Sequence, residues 1–342
     1  MDSAPRTAPE TALDPLPLAQ MGFSYAPARI LFTAVQLGLF SHIASGARTA
    51  PEVARAAHCS ERGIRMLLDA LASLELLGKH NGAYSLSALA AKFLVRESPE
   101  YMGAAWEADS LWDSWGRLTE AVRSGKPAHP VFEAGEAEKF FSVLTRMLHV
   151  QNRLQSQRLA QALGVGRTHR GLRALDVGCG SGVWGIAIAE ADPDAKITAQ
   201  DLPQVLDQTR QYLDKHGVAA QYDYLPGDMS QVEFPAGKYD LVLLGHIVHG
   251  ENEASARALF ARLQAALKPG GRLAIIDMIP NDERTGPPFP LIFALNMFLH
   301  TENGDTYTFA EYRKWLTEEG FSRIEMVEIA EGSGVAAIVA HK

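Results

Sequence analysis

Cysteine is scarce in this chain: two in 342 residues, Cys59 and Cys179. That count excludes a disulfide-stapled scaffold and suits a reducing cytoplasm. Long apolar runs are missing too, and no window approaches the roughly 20 uninterrupted apolar residues of a membrane helix. The opening "MDSAPRTAPETALDPLPLAQ" has neither the basic start nor the apolar core of a secretory signal. Rich in Pro and Ala, residues 1–20 read as a flexible leader. Cations are outnumbered, 32 Lys and Arg against 40 Asp and Glu, for a formal net charge of −8. This argues against a nucleic-acid partner, because a backbone binder needs a basic face. With 47% hydrophobic and 21% charged residues, the chain reads as a cytoplasmic globular protein large enough for two cores.

What is present falls into two halves. Residues 21–98 carry helical periodicity: "ARILFTAVQLGLFSHIA" repeats apolar residues every three or four positions. Thr49 and Ser60 are in place as N-caps, with Pro51 and Glu52 in a first turn and Gly78 expected to close the helix begun at Ser60. Asn81-Gly82 between short extended runs signals a hairpin. Three helices and a hairpin read as a winged helix. Its candidate reading helix is crowded with Ile64, Met66, Leu67, Leu68 and Leu71. Such a surface suits packing against protein better than DNA, so a dimerisation platform is expected. Residues 99–165 form a helical connector whose aromatic and apolar residues, Trp112 and Met147 among them, suit a pocket lining.

From residue 166 to 342 the pattern alternates. Strands are expected at 173–178, 196–201, 221–226, 239–245, 272–278, 323–327 and 335–340, with helices between most of them. Alternation of this kind gives an α/β fold, a parallel sheet covered on both faces. The last two strands are joined by a short Gly-bearing segment and should pair antiparallel. That terminal hairpin resembles the Rossmann-like sheet of class I S-adenosylmethionine (SAM) methyltransferases more than that of nicotinamide dehydrogenases.

The first of these strands runs into "LDVGCGSG". Gly178, Gly180 and Gly182 let backbone approach a ligand at the carboxyl end of a strand, with Asp176 placed to bond loop amides or the ligand's amino group. No Lys-Ser/Thr follows, which excludes a phosphate cradle, and the GxGxxG spacing of dinucleotide enzymes is absent. Asp201 ends the second strand, where an acid accepts ribose hydroxyls. "GDM" follows the third, where Asp228 suits an adenine amino group and Met229 the ring face. The fourth runs into "GHIVHGE". Each acid alone is an ordinary turn residue; their recurrence at successive strand ends points to a nucleoside without pyrophosphate, SAM.

With these motifs, and with "DLPQVL", "LKPGGRLAIIDMIP" and "YTFAEYRKWLTEEGF", the chain resembles the plant-type small-molecule O-methyltransferases and their bacterial natural-product relatives. The resemblance covers nearly everything after the leader. It implies SAM without a metal, a homodimer through the N-terminal domain, and an aromatic or polyketide-like acceptor. It makes His249 the general base, here followed by Gly250 and Glu251 where the family has Asp-Trp. It makes Asp277 the supporting acid. A second supporting acid falls at Thr306, with Asp305 adjacent. Gly245 stands where the family has an adenine-edge lysine, His246 where it has Trp, and Leu202 in the cofactor motif. Met297 and Thr301 match acceptor contacts, with Met147 and Trp112 further candidates.

A phenol with a pKa near 10 is a poor nucleophile at neutral pH. A neutral imidazole that takes its proton contributes roughly 10²–10⁴-fold. A SAM-binding protein with lost chemistry, methyl transfer to nitrogen or carbon, and a winged-helix SAM sensor remain the alternatives from sequence.

Overall fold

The structure is a computed structural model describing residues 13–128 and 137–342, with side chains 137–143 left aside. The leader reading therefore falls mostly on residues 1–12, outside the described residues. Its last part is not leader. Helix α1 (Leu16–Phe23) already begins there, its first amide held by Asp14 Oδ1 at 2.9 Å.

The chain divides into two compact units between Ala108 and Asp109, so the first residues of the expected connector belong with the N-terminal unit and the rest with the C-terminal one. In the N-terminal unit α1 is followed by α2 (Tyr25–Gln36), α3 (Leu39–Ala44), α4 (Ala50–Ala56) and α5 (Glu61–Ser73). The hairpin β1 (Leu77–His80) and β2 (Ala83–Leu86) and the helix α6 (Ala88–Phe93) complete it. Glu52 Oε2 accepts the amides of Arg48 and Thr49, and Ser60 Oγ accepts that of Gly63, so both expected caps form. Helix α5 buries Ile64, Leu68 and Leu71 at four- and three-residue intervals. Gly78 does not close it. The helix ends at Ser73, Glu75 turns left-handed (φ 60°), and Gly78 lies in β1. Asn81 and Gly82, at φ 47° and 77°, make the hairpin turn.

The C-terminal unit opens with α7 (Ser110–Gly116), α8 (Leu118–Ser124) and α9 (Ala137–Ala162). The alternating part follows: β3 (Arg173–Val177), α10 (Val183–Ala191), β4 (Lys196–Asp201), α11 (Pro203–His216), β5 (Tyr222–Pro226) and β6 (Tyr239–Gly245). Then come α12 (Glu253–Ala266), β7 (Leu267–Met278), α13 (Pro288–His300), α14 (Phe309–Glu318), β8 (Ser322–Ala330) and β9 (Val335–His341). The sheet order is β5-β4-β3-β6-β7-β9-β8; the first five are parallel, and β9 runs antiparallel to both its neighbours. The strands alternate as a two-faced sheet requires. In β3, Ala174 joins the core that includes Ile186, Ile197 and Leu213, while Leu175 and Val177 join the one with Phe260, Leu263 and Trp315. All five parallel strands end at one edge, and Gly178, Asp201, Asp228, Gly245 and Asp277 stand at or just past those ends.

Candidate active site

The loop after β3 is built by backbone that only glycine adopts without strain. Gly178, Gly180 and Gly182 have φ of 59°, 54° and 74°. A Cβ on Gly178 would stand 2.4 Å from Ile247 Cδ1, so a side chain there would displace Ile247 as well as strain the backbone. Asp201 organises this loop from β4: Oδ2 accepts the Gly180 amide at 2.9 Å and Oδ1 that of Leu202 at 2.7 Å, while burial raises its carboxyl pKa. Leu202, 41% exposed at the head of α11, offers an apolar surface beside it. Gln200 bridges two strand ends. Its Oε1 accepts the Gly178 amide at 3.3 Å and its Nε2 donates to the Gly227 carbonyl at 2.6 Å.

Asp176 lies beneath the loop, fully buried, with Oδ2 accepting the Gly185 amide in α10 at 3.0 Å. Burial pushes its carboxyl up to about 8, and Oδ1 is buried with no hydrogen-bond partner among the described residues. It therefore anchors helix to strand. Of its two expected roles, the amide bond forms, to α10 rather than to the loop. Asp228 is exposed and folds its Oδ1 onto Ser230 N and Oγ, both at 2.8 Å, which lowers its pKa. Met229 is half-buried, its carbonyl accepting from Arg262 Nη1 at 2.7 Å. Gly245 ends β6 under the Trp184 indole.

Beyond Gly245 the chain turns sharply, with His246 at φ 59° and its amide donating to the Ile276 carbonyl at 2.8 Å. Burial lowers the His246 pKa to about 4, so the ring is neutral; its Nδ1 is buried with no hydrogen-bond partner among the described residues. Three residues on, His249 Nδ1 meets Asp277 Oδ1 at 2.6 Å, and its backbone N–H donates to Asp277 Oδ2 at 3.0 Å. Asp277 is buried at the end of β7, yet its pKa stays below the ordinary value. Desolvation alone would raise it; the charge and hydrogen bond of His249 outweigh that penalty. The carboxylate also accepts the Met278 amide at 2.9 Å and the Tyr312 hydroxyl at 3.1 Å. His246, His249 and Asp277 each bring a donor atom within 4.8 Å of the others. Both carboxylate oxygens accept hydrogen bonds from N–H and O–H groups.

Among the described residues, neither position expected for the second supporting acid hydrogen-bonds the His249 ring. Thr306 is buried with its hydroxyl on the Pro290 carbonyl at 3.3 Å. Asp305 gives its backbone N–H to the His249 carbonyl at 3.0 Å, while its carboxylate accepts the Thr306 amide and stands 3.9 Å from Arg284. On the acceptor side, Phe293 of α13 meets the His249 ring edge-on, centroids 5.1 Å apart. Met297 is half-buried on the same helix, and the Thr301 hydroxyl donates to the Met297 carbonyl at 2.8 Å, closing the helix end. Trp112 sits on α7, which packs against α13. Met147 is half-buried on α9, two residues before His149, whose Nδ1 lies 3.0 Å from the Ser181 hydroxyl in the glycine loop.

Sequence reasoning passed over Gln200, Trp184, Phe293 and Tyr312. Gln200 directly precedes Asp201, and Tyr312 lies inside a quoted motif, so both carried a faint signal; Trp184 and Phe293 read as ordinary apolar residues.

Comparison with known proteins agrees with this geometry. Residues 115–322 match an O-methyltransferase domain model and residues 20–96 an O-methyltransferase dimerisation domain model. The chain is 31% identical over 318 residues to the 3-hydroxy-5-methyl-1-naphthoate 3-O-methyltransferase of Streptomyces sahachiroi, covering 90% of each. It is 28% identical to the acetylserotonin O-methyltransferase of Rattus norvegicus, over 90% of this chain and 73% of that one. The structure of PigF with SAH (S-adenosylhomocysteine) superposes with a TM-score of 0.84 at 25% identity, covering 97% of this chain and all of the other; PigF is a SAM-dependent methyl transferase of Serratia. The fold is shared with human N-acetylserotonin methyltransferase in complex with SAM, at a TM-score of 0.83 over 98% of this chain and 99% of that one, with 24% identity. The chain thus belongs to the O-methyltransferase family, as an enzyme that takes its methyl group from SAM.

Proposed function

We propose that this enzyme methylates a phenolic hydroxyl of a small aromatic, polyketide-like molecule, with His249 as general base and Asp277 as its orienting partner. One contact carries the reading: the 2.6 Å approach of His249 Nδ1 to a buried carboxylate. Asp277 fixes the Nδ1–H tautomer, which leaves the Nε2 lone pair to receive a proton. Bound SAM supplies a methyl group activated by its sulfonium. His249 Nε2 takes the acceptor's hydroxyl proton as the new oxygen–carbon bond forms, and Asp277 stabilises the imidazolium that results. The apolar face of α13, with Phe289 and Ile292 exposed, favours a greasy, planar acceptor, and Met297, Thr301, Met147 and Trp112 are its further candidate contacts.

The cofactor residues are Asp201, Leu202, Asp228, Met229, Gly245 and the three loop glycines. Fit is supported by the left-handed loop and by the acid already aimed along it. Asp176 supports the loop from below. The domains run as 21–98 for dimerisation, 99–165 as connector and 166–342 for the cofactor, in a cytoplasmic homodimer that needs no metal. The test is His249→Gln, assayed with labelled SAM against a panel of phenols while SAH binding is followed by calorimetry. Turnover should fall by at least about 10²-fold with binding retained; an unchanged rate ends the reading.

A further inference from the structure

Asp277 accepts four hydrogen bonds, and only one comes from outside the loop and strand that carry the dyad: the Tyr312 hydroxyl, 3.1 Å from Oδ2. Tyr312 is fully buried in the first turn of α14, where a capping box of Thr308 and Glu311 fixes the helix start. Its ring is locked edge-on between Tyr307 and Trp315, at centroid distances of 6.1 and 6.0 Å. Burial beside Asp277 pushes its phenol pKa well up, so the hydroxyl remains a donor at any working pH. The position that resembles a second acid is Thr306, turned away to Pro290.

We propose that Tyr312 is a positioning residue for methyl transfer, which tempers the Asp277 carboxylate and so sets the pH at which His249 becomes a competent base. The inference rests on the reading of His249 as base. A carboxylate with fewer donors is more basic and grips the Nδ1 proton harder; the imidazolium is then favoured, and the ring gives up its charge only at higher pH. Tyr312 opposes that pull. The other titratable groups around the dyad are His246 on the same loop, Asp305 with its Arg284 neighbour, and Tyr307, whose hydroxyl donates to the Glu251 carbonyl. None of these donates to Asp277 among the described residues.

The test needs no acceptor. With SAH bound and histidine isotopically labelled, the His249 ring is titrated by NMR, its signal assigned by its loss in His249→Gln. Tyr312→Phe should move the titration upward by about half to one pH unit, roughly one hydrogen bond's worth, with SAH affinity unchanged. Fluorotyrosine placed at position 312 keeps the packing and makes a stronger donor, so it should move the titration downward. If neither change moves it, the proposal falls, because a merely structural tyrosine would alter melting temperature and leave the ring's titration in place. That failure leaves the base assignment to the separate His249→Gln assay.

Discussion

Trp184 rests its indole on the bare α-carbon of Gly245, so closely that a Cβ built there would stand 2.1 Å from Nε1. The end of β6 is therefore glycine for want of space, since its φ is not left-handed. Gly245→Ala should destabilise the protein by about 1–3 kcal/mol, the cost of overpacking. Combined with Trp184→Leu, the penalties should be strongly non-additive. Denaturant melts of the two single variants and the double variant measure this, and simple additivity would refute the contact.

Asp201 holds the Gly180 amide while standing where ribose hydroxyls are expected. Asp201→Asn keeps the shape and removes the charge. Hydrogen bonds to charged groups contribute about 1.5–3 kcal/mol, so SAH affinity by calorimetry should weaken on the order of 10- to 100-fold. Wild-type affinity in this variant would remove Asp201 from the site.

His149 is buried between the Ser181 hydroxyl at 3.0 Å and His216 Nε2 at 3.1 Å, stacked on Tyr212. Burial, then the neighbouring His216, Arg153 and Lys215, hold its pKa down to about 3 against an ordinary 6.5. Between those values the unfolded chain takes up a proton that the folded protein refuses. Stability present above about pH 6.5 should therefore fall progressively on acidification towards about pH 3. His149→Phe should flatten that acid slope in thermal melts, and the buried, neutral His246 should leave part of it in place. An identical slope in the variant would contradict the assignment.

Helix α1 leaves Leu18, Met21 and Phe23 at 73%, 72% and 65% exposure, within or beside the matched dimerisation segment. Apolar exposure on this scale marks a protein contact surface. Leu18→Glu with Met21→Glu should convert a dimer to a monomer by light scattering. A dimer of undiminished affinity would place the interface elsewhere.

Period and punctuation made the sheet readable. Strands at 196–201 and 239–245 have the bounds expected from their apolar runs. β7 begins at Leu267, earlier than expected, because Pro269, Gly270 and Gly271 look like loop in one dimension yet continue the strand beside β6. The pairing of His249 with Asp277 was legible through the family resemblance, which matched one position in the turn after β6 and one at the end of β7. Trp184, His149 and Tyr312 were not, because their partners are set by how helices lie on the sheet. His149 and Ser181 stand 32 positions apart, and no spacing rule reaches that far.

The sheet's topology carries a consequence for biosynthesis. β9 is the last of the seven strands to be made, yet it is an interior one, wedged between β7 and β8. Asp277 pairs with Ala336 across that seam. A nascent chain can therefore pair β3 to β7 before residues 335–341 emerge, but the β7 edge beside Asp277 stays open until they do. Removal of residues 335–341 should therefore expose the β7 edge at Asp277 while leaving the pairing of β3, β4 and β5 untouched.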